Sequence, residues 1–201
     1  MENEDMPSGP WDAATYAHLR AERRGQTARV TLARPEVHNA FNARLIAELR
    51  AVFTAIGEDD AVRVVVLSGE GKNFSAGADL HWMRASLDFT HDENIADALS
   101  MADMFQAVDA CRHPVIGRIA GFALGGGAGL TAVCDIAIAA EGATFGFTEA
   151  RLGIAPAVIS PFVLRKIGAS QARALFVTAE RFDAARALAI GLVHSVVAEG
   201  A

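Results

Sequence analysis

The sequence predicts an α/β fold. Three short apolar runs, Val62 to Leu67, Val115 to Ile119 and Ile136 to Ala139, have the β-branched content of strands buried on both faces. Between them lie stretches whose apolar residues recur every three or four positions. Strands alternating with helices in this way build sheets with mostly non-local pairing.

The elements follow in order. Leu19 to Leu32 reads as a β-hairpin broken near Gly25-Gln26, with Val30 and Leu32 alternating against polar neighbours, and Arg34-Pro35 closes it. Asn42 is a candidate N-cap. After it Leu45, Ile46, Leu49, Val52, Phe53 and Ile56 share one helical face, and Gly57 ends that helix. Val62 to Leu67 is the next strand, followed by a loop from Ser68 to Asp79 and a helix beginning near Leu80. Helical periodicity returns from Asn94 to Arg112 and is stopped by His113-Pro114. Val115 to Ile119 is a strand, the glycine run after Gly121 opens a short helix, and Ile136 to Ala139 is a strand again. Ser160 onward is helical, including Ser170 to Val177 and Ala184 to Ile190, before a last strand at Leu192 to Val197. No sequence repeat, low-complexity tract or linker divides the chain, so residues 1–201 are read as one domain.

Composition removes several classes of function. The chain of 201 residues is 52% hydrophobic and 21% charged, which is ordinary for a globular protein. A net charge of -6, with basic residues scattered singly apart from Arg23-Arg24 and Arg165-Lys166, speaks against a nucleic-acid partner. Gly121 to Ala140 is long and apolar enough to suggest a membrane span. It holds five glycines and Asp135, however, and a mid-membrane Asp costs roughly 2.5 to 3.5 kcal/mol, so a buried segment is expected and no membrane partner. Met1 to Pro10 is acidic and polar, unlike a secretory leader. Cys111 and Cys134 are too few for a disulfide framework and read as packing residues in a reducing, cytoplasmic setting. His18, His91, His113 and His194 lack zinc-site spacing, so no metal is expected.

Two glycine-rich turns carry the chemistry. Phe74-Ser75-Ala76-Gly77-Ala78-Asp79 follows a strand and precedes a helix; it is either a plain tight turn or an anion site with main-chain N–H groups left free. Gly121-Phe122-Ala123-Leu124-Gly125-Gly126-Gly127-Ala128-Gly129-Leu130 has the same setting and reads either as close helix-to-sheet packing or as a second set of exposed donors. No Lys-Ser or Lys-Thr follows it, as a phosphate loop requires. Two such turns converging on one carbonyl oxygen would form an oxyanion hole.

These residues, in order with Arg34-Pro35, Asn39-Ala40, Cys134-Asp135, Phe145-Gly146-Phe147-Thr148-Glu149 and Gly191-Leu192-Val193, resemble the enoyl-CoA hydratase/isomerase (crotonase) superfamily over nearly the whole chain. The resemblance implies a crotonase-like spiral of ββα units and a bent acyl-CoA thioester as partner. It implies an oxyanion hole from the N–H groups of Ala78 and Gly126, and Glu149 as the carboxylate that exchanges a proton with the carbon next to the thioester. His38, Ala40, Ala76, Gly77, Ala78, Asp79, Leu80, Gly125 and Gly126 are the implied substrate- and CoA-binding residues, and His81 and Trp82 lie beside them. No cofactor is implied, because coenzyme A is part of the substrate. A carboxylate in an apolar surround has its pKa raised toward neutrality, which suits proton transfer.

Two departures shape the expectation. Two-glutamate hydratases carry a second glutamate where this chain has Gly129, which leaves hydratase, single-glutamate double-bond isomerase and non-catalytic acyl-CoA-binding homologue as readings. Gly77 to Met83 and Arg151 to Pro161 are similar to the methylglutaconyl-CoA/isohexenylglutaconyl-CoA hydratase branch, which favours hydration of a branched or carboxylated enoyl-CoA. The resemblance also implies a homotrimer or dimer of trimers built by helices beyond Gly191-Leu192-Val193, whereas the chain ends at Ala201, so that C-terminal segment is expected to be shortened.

Overall fold

The computed structural model describes residues 10–200, so the acidic stretch before Pro10 lies outside the described residues. The predicted hairpin is present as β1 (Leu19–Arg24) and β2 (Thr27–Leu32), antiparallel, turning at Gly25 with φ +61°. Asn42 caps α1 (Ala43–Glu58), its side chain accepting the Leu45 N–H, and the predicted apolar face is fully buried. Helix α1 runs one residue past Gly57, because nothing at that glycine forces a left-handed turn. Each large apolar side chain on that face stabilises by about 1.5 to 3 kcal/mol, so Leu49→Ala would cost roughly 2 to 5 kcal/mol.

The chain continues through β3 (Val64–Gly69), α2 (Leu80–Ala85) and α3 (His91–Asp109). Helix α3 starts three residues before the expected Asn94, since Thr90 and Glu93 form a reciprocal capping box ahead of the apolar pattern. Then come β4 (Val115–Ile119), β5 (Phe122–Leu124), α4 (Gly126–Val133), β6 (Ile136–Ala140), β7 (Thr144–Gly146), α5 (Ser160–Thr178), β8 (Arg181–Asp183), α6 (Ala184–Ala189) and β9 (Ser195–Val197). The helical run from Ser160 is broken at Gly168 (φ 76°, ψ 156°). The last strand is shorter than Leu192 to Val197, because Leu192 and Val193 turn back onto the Ala187 carbonyl. Gly121 to Ala140 is divided among β5, α4 and β6, and among the described residues no helix is long and apolar enough to cross a membrane.

Two sheets organise the core. The larger has the order β1-β2-β3-β4-β6-β9, parallel from β2 onward; the smaller has the order β5-β7-β8. Isolated bridges Phe41 with Ala78 and Ser75 with Ala123 extend the smaller layer toward the N-terminus. Each coil of the chain thus places one strand in the large sheet, one short extended segment in the second layer, and then a helix. β2, Phe41 and α1 make one coil; β3, Ser75–Ala78 and α2 the next; β4, β5 and α4 the third; β6, β7 and α5 the fourth. This is the expected ββα spiral. Its repeat is structural and leaves no repeat in the sequence. Phe41, Phe105 and Phe162 pack in edge and tilted contacts, and Phe182 stacks on Phe145 and meets Phe147 at a tilt.

Candidate active site

The second layer puts the two glycine turns against each other. On one side Phe74 N–H donates to Ala120 O (2.7 Å), Ser75 N–H to Phe122 O (2.9 Å), and Leu124 N–H to Ser75 O (3.0 Å). On the other side Ala76 N–H donates to His38 O (2.9 Å), Phe41 N–H to Gly77 O (2.7 Å), and Asp79 N–H to Phe41 O (2.8 Å). Gly77 N–H reaches Ser75 Oγ at 3.3 Å. In this laced segment Ala78 N–H alone donates to no acceptor among the described residues.

The second turn ends similarly. Gly125 N–H donates to Gly146 O (2.8 Å), while Gly126, the first residue of α4, has neither a backbone acceptor nor a capping side chain among the described residues. First-turn amides of a helix are unpaired and carry positive partial charge, so Gly126 N–H is a donor waiting for an acceptor. Glycine is required here by close approach. A Cβ on Gly77 (φ +90°) would stand 2.7 Å from Leu124 O and 3.4 Å from Gly126 N, and one on Gly127 would stand 2.4 Å from Ser75 O. The two turns therefore touch.

A cavity of about 710 Å³ opens over them. His38, Ala40, Ala76, Gly77, Ala78 and Asp79 all line it, and so do Leu80, Gly125, Gly126 and Glu149. Glu149 follows β7 at the start of a 3-10 turn, Glu149–Leu152. A Cβ on Gly125 would lie 3.3 Å from its Oε1, so the carboxyl rests beside the second turn. Its Oε2 is buried with no hydrogen-bond partner, and burial pushes the carboxyl above the usual glutamate range.

Asp79 behaves oppositely. Burial alone would raise its pKa, but the His81 N–H and the Arg34 guanidinium hold it below the usual range. Arg34 Nη2 lies 2.9 Å from Asp79 Oδ2, and its Nη1 donates to Ala40 O. His38 and Asn39 adopt left-handed backbone (φ 55° each), and Asn39 Nδ2 donates to Asn73 O and Glu70 O, fixing the segment that flanks the first turn. His81 lines the cavity; Trp82 packs against the core instead.

At Gly129 the space for a side chain is filled. A Cβ there would stand 2.5 Å from Ile159 Cγ2 and 3.3 Å from Phe105 Cε1. Met83 on α2, Met101 on α3, and Ile154, Val158 and Ile159 also line the cavity, and the sequence alone does not mark them as lining. Arg151 to Pro161 stands out in the sequence only as texture, because a wall made by irregular backbone has no periodicity. Thr148 and Arg181, which also border the cavity, were missed. Arg181 stacks over Phe122 at 5.7 Å. Among the described residues no three His, Cys, Asp or Glu side chains are grouped to hold a metal ion.

A family model described as enoyl-CoA hydratase/isomerase matches residues 22–201. A Rhizobium meliloti (strain 1021) protein named "Probable enoyl-CoA hydratase" is 42% identical over 185 residues, covering 92% of this chain and 70% of that protein. The Alternaria alternata enoyl-CoA hydratase AKT6-1 is 33% identical over 205 residues, covering 96% of this chain and 67% of its own length. Among solved structures, an enoyl-CoA hydratase from Shewanella pealeana ATCC 700345 superposes with a TM-score of 0.90 at 39% identity, covering 93% of this chain and 70% of that one.

Proposed function

This chain belongs to the enoyl-CoA hydratase/isomerase family, and from that premise we propose that it is an enoyl-CoA hydratase with Glu149 as its proton carrier. One observation carries the reading: the unengaged N–H groups of Ala78 and Gly126 open onto the same cavity as the buried, partnerless Oε2 of Glu149. The thioester oxygen of an enoyl-CoA accepts from both amides, and each such donor is worth about 3 to 4 kcal/mol once charge develops on that oxygen. Water attacks the β-carbon while Glu149 takes one of its protons; the C=C electrons move into the thioester as an enolate. The same proton then passes from Glu149 to the α-carbon, the enolate collapses, and the carboxylate is regenerated with one water added. The similarity of Gly77–Met83 and Arg151–Pro161 to the methylglutaconyl-CoA/isohexenylglutaconyl-CoA hydratase branch supports a branched or carboxylated acyl group, and a homotrimer or dimer of trimers belongs to the same proposal.

Mixing the protein with a panel of straight, branched and carboxylated enoyl-CoA thioesters should bleach the conjugated enoyl absorbance for at least one. Unchanged absorbance across the panel rejects the hydratase. A second reading, double-bond isomerase, is favoured by Ile159 occupying the space beside Gly129, where a second carboxylate would otherwise hold water. Formation of a conjugated thioester from a 3-enoyl-CoA without water addition would select it.

A further inference from the structure

We propose that the Thr148 hydroxyl holds the attacking water against Glu149, taking over the task a second carboxylate would perform. The inference rests on the hydratase reading and deepens it. Addition of water is faster when one group removes a proton and a second acceptor aims the oxygen lone pair at the β-carbon. Glu149 supplies the first. The place from which a second glutamate would reach is closed, since any side chain at Gly129 meets Ile159 and Phe105.

Thr148 offers another oxygen at the cavity. It immediately precedes Glu149, is half-buried and lines the cavity. A Cβ built on Gly125 would lie 3.6 Å from Thr148 Oγ1 and 3.3 Å from Glu149 Oε1, so both oxygens border the same space at the start of the second turn. Thr54, Thr131 and Thr178 hand their hydroxyls to a carbonyl one turn back, and Thr90 caps a helix with its own. Thr148 also occupies a cap position, ahead of the 3-10 turn, yet its side chain makes no cap hydrogen bond and has no partner among the described residues. An uncommitted hydroxyl beside the proton carrier can accept the second O–H of a water whose first O–H points at Glu149. The threonine itself gains and loses no proton; the water's proton goes to Glu149 and then to the α-carbon.

The test compares Thr148→Val, which keeps the shape and removes the hydroxyl, with Thr148→Ser, which keeps the hydroxyl. Two reactions are followed: hydration of a short enoyl-CoA that the wild-type protein accepts, and exchange of the α-proton of its saturated analogue with deuterium from D2O. Exchange uses Glu149 and the two amides but no attacking water. The valine variant should lose about 10- to 100-fold in hydration kcat, with KM and the exchange rate within about twofold of wild type, and the serine variant should retain most of the hydration rate. Wild-type hydration by the valine variant overturns the inference, as does a parallel fall in hydration and exchange, which would make Thr148 a structural support. A wild-type protein that hydrates nothing rejects the functional reading itself, and this assignment with it.

Discussion

Glu149 has one buried, unpartnered oxygen, and on the proposed reading that oxygen bears on both activity and stability. Its carboxyl is raised above 4.5 by desolvation, so ionisation is harder in the folded chain than in the unfolded one. The linkage sign follows: folding is penalised above the folded pKa, is free of that penalty below about 4.5, and weakens as pH rises between the two. Glu149→Gln should therefore abolish that segment of the stability-versus-pH curve and leave Tm at pH 7 equal to or above wild type. The same change should lower kcat by about 10²- to 10⁴-fold. The acidic limb of kcat/KM in the wild type should lie above pH 4.5, since the base works ionised. A variant both less stable and fully active would reverse the assignment. Glu149 was legible in the sequence only through the motif Phe145 to Glu149, because an isolated glutamate carries no signal of its burial. The Gly129 gap was legible too, whereas its filling by Ile159, thirty positions on, was not.

Between elements, the Arg34–Asp79 pair joins the exit of β2 to the start of α2. Asp79 caps α2 by accepting the His81 N–H, while Arg34 holds its other oxygen and also the Ala40 carbonyl. Both side chains are nearly buried, at 11% and 9% exposed, so removing one strands the other's charge. Arg34→Ala should cost about 3 to 5 kcal/mol in denaturant unfolding at neutral pH. Asp79 is held below its usual 3.8, so the pair's contribution is in place above that pH and is lost as pH falls through the lower folded value. The Arg34→Ala deficit should accordingly shrink below pH 3.8; a deficit independent of pH would mean the arginine acts through packing alone. Arg34 and Asp79 are conspicuous in the sequence as motif residues, but their pairing across 45 positions is not. The same limit applies to secondary structure. Helix α1 and strand β4 were readable because long periodic or β-branched runs declare themselves. Strands β5, β7 and β8 were not, since three residues are too few to show alternation.

At the scale of the molecule, the candidate oxyanion pair is a product of the spiral's pitch. Ala78 belongs to the second coil and Gly126 to the third, and the distance between them is set where the coils touch, at Gly77 against Leu124 O and Gly126 N. Parallel, non-local pairing of this kind leaves no local mark, so the sequence announces the turns without announcing that they meet. A single methyl group tests the dependence. In Gly77→Ala the added carbon would lie 2.7 Å from Leu124 O at a backbone angle of φ +90°, forcing the coils apart or the turn out of shape. Overpacking and the unfavourable backbone together should lower stability by roughly 2 to 5 kcal/mol. Displacement of the amides by even about 1 Å should lower hydration kcat/KM on the order of 100-fold. Gly25→Ala is the control, because Gly25 shares the positive φ (+61°) but would bring its Cβ within 4 Å of nothing. It should lose about 1 to 2 kcal/mol from the backbone alone and keep full activity. If Gly77→Ala matched the control in both stability and rate, the contact between coils would not be what holds the two amides together.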